Sequence, residues 1–271
     1  MKHFTTLPLP SVMGILNITP DSFFDGGGHP VLIDQLRHVE VMIRDGAAII
    51  DIGAVSTRPG AAGVSEEEEA TRLMPVLTAV RKAFPQQYLS VDTFRPEIAK
   101  MAIEAGAQMI NDIYGGRFDG KMFSVVAENR ADYVMMHMQG TPDTMQIDPQ
   151  YEDVTAEVMD FFLTQLLTFP ETPSTICLDP GFGFGKNIEH NFRLLNDLDK
   201  IKALGYPVIA GLSRKSMINK VLGTNPGQAL NGTTVLNTIA LLKGADVLRV
   251  HDVKEAMEAV RLVGMLAKVG I

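Results

Sequence analysis

The chain has 271 residues, 46% hydrophobic and 21% charged, and 24 basic against 32 acidic side chains give a formal net charge of −8. That composition supports a sizeable buried core and excludes a disordered or low-complexity protein. The acidic balance excludes a general binder of phosphate backbones, which needs excess Lys and Arg, so any anionic ligand has to be held by a local basic site. One cysteine, Cys177, can form no internal disulfide. With neither a secretory-type leader in the first eight residues nor an apolar run of about 18, a cytoplasmic location is expected.

Short apolar runs recur along the chain at 12–17, 49–53, 88–92, 109–112, 133–137, 176–179, 208–211 and 247–250. Most are apolar on successive residues, the pattern of a parallel strand buried on both faces. Helix-period segments fall between them. Leu32, Leu36, Val39 and Ile43 repeat at three- and four-residue steps and the segment stops at Gly46, a C-terminal cap signal. Ser65-Glu66-Glu67-Glu68 has capping-box spacing before a helix that runs to Phe84-Pro85, its acidic residues at the favourable end of the dipole. Pro96 suits the first turn of a helix ending near Gly106. Further helices are predicted over 154–167, 190–204, 215–222, 228–243 and 253–267. Alternating strands and helices over this length predict an α/β fold, a closed (β/α)8 TIM barrel over 1–271, with an open doubly wound sheet as the rival. The residues before Val12 read as a short lid or hairpin over the barrel bottom.

In such a barrel the chemistry lies at the carboxyl ends of the strands. Those ends are polar: Asn17, Ser56-Thr57-Arg58, Asp92, Asn111-Asp112, His137, Asp179, Ser213-Arg214-Lys215, and Arg249 with His251. Singly, each reads equally as a turn or capping residue; together they predict one pocket. A buried Asp92 or Asp179 needs a basic partner or a ligand rich in N–H donors, such as the edge of an amino-pyrimidinone heterocycle, and Asn111 matches a mixed donor and acceptor edge. Arg249 and His251, one residue apart, face the same side of an extended chain and suit one shared anion. Asn17, neighbouring them in a closed barrel, suits a diphosphate or Mg²⁺. Two Gly-rich loops, 19–28 and 56–63, read as lids, and Gly181-Phe182-Gly183-Phe184-Gly185-Lys186 as a tight loop presenting Phe184, since its spacing departs from the dinucleotide fingerprint. Three readings of Lys215 stand open: a Schiff-base nucleophile, an ammonium bonded to substrate, or a surface residue opening an anion-binding helix.

These segments closely resemble the dihydropteroate synthases of the folate pathway. The resemblance rests on Gly14-Ile15-Leu16-Asn17-Ile18-Thr19-Pro20-Asp21-Ser22-Phe23, Ser56-Thr57-Arg58-Pro59-Gly60, Ser90-Val91-Asp92-Thr93, Ile110-Asn111-Asp112, Leu178-Asp179 through Lys186, Ser213-Arg214-Lys215-Ser216 and Arg249-Val250-His251-Asp252. It implies a transferase on a TIM barrel that joins a dihydropterin hydroxymethyl diphosphate to 4-aminobenzoate, releases diphosphate, and is a target of sulfonamides. By that resemblance Asp92, Asn111, Asp179, Lys215 and Arg249 bind the pterin. Asn17, Arg249 and His251 hold the diphosphate, with Mg²⁺ on Asn17. Thr57, Arg58, Pro59, Phe184 and Ser213 take the aminobenzoate, and Asp25 faces the pterin cation. The resemblance leaves the Schiff-base reading of Lys215 without a role, and it implies a homodimer. Ala54-Val55 departs from the Gly-Glu common at this point and is expected to alter loop packing rather than chemistry. The alternatives kept beside it are a pterin-binding methyltransferase and a catalytically silent pterin-binding paralogue.

Overall fold

The computed structural model describes residues 3–18, 29–55 and 63–270, with backbone alone at 29–31 and 267. Strands β1 (Ser11–Asn17), β2 (Ile49–Gly53), β3 (Tyr88–Asp92), β4 (Met109–Asp112), β5 (Asp132–Met136), β6 (Ile176–Asp179), β7 (Ile209–Ala210) and β8 (Val247–Val250) fall on the eight predicted runs. All pair in parallel, in the order β6-β5-β4-β3-β2-β1-β8-β7. A parallel bridge between Leu178 and Val208 joins the two ends of that order and closes the barrel, so the TIM barrel is confirmed and the open sheet excluded.

Helices α1 (His29–Asp45), α2 (Glu66–Ala83), α3 (Pro96–Glu104), α4 (Met122–Asn129) and α5 (Val154–Thr168) follow the first five strands. The second half adds α6 (Ile188–Asn196), α7 (Leu198–Lys202), α8 (Ser216–Leu222), α9 (Leu230–Leu242) and α10 (Val253–Lys268). The Ser65 hydroxyl accepts from the Glu68 N–H and starts α2 as its spacing predicts. Two departures from the predicted helices have local causes. The helix expected over 190–204 is broken at Asp197, which ends α6 and whose carboxylate is taken by Thr155 Oγ1 at 3.1 Å and by Lys200 at 3.2 Å. Helix α4, which no predicted segment covers, lacks a side-chain cap and is held by burying Met122, Phe123 and Val126.

The period of two along each strand sorts side chains into two sets. Outward residues such as Val12, Ile50, Leu89, Ile110, Leu178 and Leu248 pack with the helices in the main core, which also takes in Ala54. Inward residues form layers along the axis. The bottom layer is Met13, Ile49, Tyr88, Met109, Val134, Cys177, Ile209 and Val247, and Phe4 and Leu7 pack against it from below. The segment before β1 therefore covers the barrel bottom as expected, but not as a hairpin. It is a 3-10 turn, Phe4–Thr6, whose Phe4 N–H donates to Asp132 Oδ2 at 3.2 Å and which plugs the barrel.

Candidate active site

Two residues further along, the inward layer turns polar on five strands, with Asp51, Ser90, Asn111, Asp179 and Arg249, and it is here that the predicted residues meet. The arrangement has a centre that the sequence reading passed over, Asp51 on β2. Asp51 is fully buried; its Oδ2 accepts from Arg249 Nε at 2.7 Å and from Asn111 Nδ2 at 3.1 Å, while its Oδ1 is buried without a hydrogen-bond partner. Arg249 reaches onward from β8, and its Nη2 donates to Asp92 Oδ2 at 2.6 Å. One guanidinium thus spans two carboxylates on adjacent strands. Burial pushes the Asp92 carboxyl up to about 7, Arg249 pulling it down and Asp51 pushing it further up. For Arg249 burial alone would lower the pKa, and the two carboxylates overcome it and raise it. Charges desolvated to this degree need close partners, and the planar fork of Arg supplies one to each carboxylate.

Across the mouth, Asp179 on β6 accepts from the Gly181 N–H at 2.7 Å, and burial raises its carboxyl against the pull of Lys215. Lys215 donates to the Phe182 carbonyl, and its Nζ lies 4.6 Å from the centre of the Phe184 ring. Burial lowers its amine to about 8 although Asp179 works the other way. Lys215 precedes α8 rather than opening it by a side-chain cap, and it faces the pocket, which removes the surface reading.

Ser213 and His251 meet between β7 and β8. The His251 N–H donates to Ser213 Oγ at 3.2 Å, and the same oxygen lies 3.0 Å from His251 Nδ1 in a second hydrogen bond. Arg214 between them adopts a left-handed φ of 56°, a costly conformation for a non-glycine residue. It is held there by a two-pronged pair with Asp252, at 2.9 and 2.7 Å, and by donation to the Pro226 carbonyl at 2.8 Å. This clamp ties the loop carrying Ser213 and Lys215 to the one carrying Arg249 and His251.

The loop after β6 is fixed with unusual completeness, because six consecutive carbonyls each accept from a side chain. Lys186 Nζ takes Gly181 and Phe184, both at 3.1 Å, and Lys215 takes Phe182. Gln146 takes Gly183 at 2.7 Å, Tyr151 takes Gly185 at 2.8 Å, and Asn191 takes Lys186 at 3.1 Å. Gly181 and Gly185 have positive φ, and a Cβ on them would overlap the His137 and Gln139 carbonyls respectively, so this path requires glycine. Phe184 packs beside Met136, Met138 and Ile113, as an apolar wall of the mouth.

The structure thus brings Asp92, Asn111, Asp179, Lys215, Arg249, Ser213, His251 and Phe184 to one end of the barrel, with Asn17 exposed at the end of β1 beside Gly53. Asp112 faces the helix layer instead, accepting from the Tyr114 and Gly116 N–H groups, both at 2.8 Å, and from Tyr133 Oη at 2.7 Å. His137 is likewise turned away, toward Lys186. Asp25, Thr57, Arg58 and Pro59 lie outside the described residues. The residues that the sequence reading missed are Asp51, the Arg214–Asp252 clamp and Lys186. Asp51 carried a signal, since a carboxylate in mid-strand of a buried parallel sheet has to point inward to a partner.

A barrel with an acid- and amide-rich floor, a guanidinium held between two carboxylates and a lysine at its mouth fits a pterin-binding enzyme, and the family model described as "Pterin binding enzyme" matches residues 13–251. The dihydropteroate synthase of Escherichia coli (strain K12) is 47% identical, the alignment covering 97% of this chain and 95% of that one. Among solved structures, the Yersinia pestis dihydropteroate synthase in complex with a sulfonamide drug superposes with a TM-score of 0.89 at 42% identity, covering 96% of this chain and 95% of that one. The Xanthomonas albilineans dihydropteroate synthase with 4-aminobenzoic acid gives a TM-score of 0.86 at 40% identity, covering 95% and 93%. The chain belongs to the dihydropteroate synthase family.

Proposed function

We propose that this barrel condenses 6-hydroxymethyl-7,8-dihydropterin diphosphate with 4-aminobenzoate to give 7,8-dihydropteroate and diphosphate, a transferase step of folate biosynthesis. The observation that carries the proposal is the Arg249 guanidinium fixed between Asp51 and Asp92, with Asn111 bonded to the same Asp51. Together they form a rigid floor whose edge matches the donors and acceptors of a pterin. Asp92, Asn111 and Asp179 bind that edge, Lys215 bonds the ring, and Arg249 stacks on it. His251 and Arg249 take the diphosphate with Asn17.

In the reaction the bond from the pterin methylene to the diphosphate oxygen breaks, the oxygen keeping the electron pair. The aminobenzoate nitrogen then bonds to the methylene and loses a proton. Arg249 and His251 supply fixed positive or N–H character where charge develops on the leaving group. Phe184, Met138 and Ile113 line an apolar wall that keeps water from the cation. Phe184 and Ser213 position the aminobenzoate, with Thr57, Arg58 and Pro59; Asp25 faces the cation, as the resemblance implies. Lys215 acts as an ammonium, because the reaction needs no enzymic nucleophile.

Mg²⁺ belongs to this proposal. No group of three His, Cys, Asp or Glu side chains among the described residues could hold a metal alone. The donor at the mouth is the Asn17 carboxamide oxygen, a hard ligand that suits an ion held mainly by substrate phosphates. Bound there, Mg²⁺ would add positive charge on the departing diphosphate. We further assign the protein to the cytoplasm, supported by its single buried cysteine; among the described residues no helix is long and apolar enough to cross a membrane. A homodimer completes the reading.

The test is diphosphate release by the purified protein. Release that requires both substrates and Mg²⁺, and that a sulfonamide inhibits in competition with 4-aminobenzoate, is the expected result. No release, or inhibition that added 4-aminobenzoate leaves unchanged, would sink the assignment.

A further inference from the structure

Lys186 is among the most buried charged residues of the chain, 3% exposed, and nothing in the reaction proposed above uses it. Its ammonium has three N–H bonds and the structure provides three acceptors: His137 Nδ1 at 2.9 Å, and the Gly181 and Phe184 carbonyls, both at 3.1 Å. Burial pushes the Lys186 amine well below its ordinary range, and the pull of Asp179 works the other way; the three acceptors match the charged form, in which His137 Nδ1 accepts and the imidazole proton sits on Nε2. The histidine is stationed for the purpose. Burial, and then the charge of Lys186, push its pKa down to about 2, and its ring stands edge-on to Phe161 at 5.0 Å.

The two carbonyls are the ends of one turn, in which the Phe184 N–H donates to the Gly181 carbonyl at 3.0 Å. Lys186 therefore closes that turn from the side away from the pocket. What the turn presents to the pocket is the Phe182 carbonyl, which takes Lys215, and the Phe184 ring beneath the Lys215 amine. We propose that Lys186, backed by His137, is a positioning residue for the reaction: it fixes the turn after β6 so that the Phe184 ring defines the aminobenzoate end of the pocket. The pterin floor of Arg249, Asn111 and Asp92 does not depend on it, since these are held by one another and by Asp51, and Lys215 keeps the attraction of Asp179 besides its bond to the turn.

This inference rests on the proposed function, and its test separates the two. The wild-type enzyme is measured beside K186M, which keeps an unbranched side chain one atom shorter and removes all three donors. The KM for 4-aminobenzoate is expected to rise about tenfold or more while that for the dihydropterin diphosphate stays within about threefold, a split that uniform destabilisation does not produce. A pair of His137 variants gives the same answer if K186M fails to fold. H137F removes the acceptor and should show the split, and H137Q restores an acceptor oxygen and should not. Wild-type activity with both KM values unchanged, or raised in parallel, overturns the role of Lys186 alone; a wild-type protein without activity overturns the function and this inference with it.

Discussion

Lys215 shows how burial sets the chemistry of a single side chain. Its amine is brought down to about 8 by desolvation, against the attraction of Asp179, so the folded protein releases a proton that an unfolded lysine would hold to about 10.4. Between these values the unfolded chain carries the extra proton, and folding stability contributed by this group increases with pH. Affinity for an anionic dihydropterin diphosphate follows the opposite sign, because the ammonium that binds it is present below pH 8 and lost above. Calorimetric titration from pH 7 to 10 should show the dissociation constant rising by up to about tenfold per pH unit on the alkaline side, with K215M weaker and flat over the same range. An alkaline limb that persists in K215M would assign it to another group. Asp51 teaches the complementary lesson about reading residues. Inside Ile49-Ile50-Asp51-Ile52-Gly53 it merges with an apolar run, whereas Asp92 and Asp179 stand at strand ends where polarity draws notice. The partner that explains Asp51, Arg249, is 198 residues away, and no local pattern reveals it.

At the scale of elements, the strands were legible because a parallel strand covered on both faces has to be apolar on nearly every residue, and all eight runs fall on the observed strands. Helices were less so. Helix α4 spans eight residues, little more than two turns, and its adjacent Val125 and Val126 weaken the local signal. The break between α6 and α7 depends on side chains bonding to Asp197 from α5 as well as from α7. The plug below the barrel is also a tertiary feature. Phe4 is 2% exposed, and its backbone joins the Asp132 carboxylate, which also accepts from Tyr88 and from the Thr175 N–H. F4A should therefore cost about 3–5 kcal/mol, the range for an emptied aromatic site. The pterin floor lies a full inward layer above the plug, so at a temperature where F4A stays folded its KM values should match the wild type. Denaturant unfolding alongside steady-state kinetics measures both; a large change in KM without loss of stability would show that the plug communicates with the mouth.

Over the whole molecule, an excess of acidic charge surrounds a mouth where Arg249, Lys215 and His251 converge, so attraction for two anionic substrates is local rather than general. The outer surface holds a second asymmetry. Exposed apolar side chains concentrate on the last three helices: Val221 and Leu222 on α8, Val235 and Leu242 on α9, and Leu262 and Met265 on α10, each between 49% and 71% exposed. Helix α9 packs against both α8 and α10, which makes these residues neighbours on one side of the barrel. Several large exposed apolar side chains on adjacent helices suit an interface, and a two-fold axis through these helices would bury the same residues from each copy. The homodimer is therefore expected to form through α8, α9 and α10. L262E places a charge on that surface, and multi-angle light scattering should find it monomeric where the wild type has twice the mass of one chain. If the variant stays dimeric, the interface lies elsewhere; if the wild type is itself a monomer at micromolar concentration, the two-fold assembly is wrong.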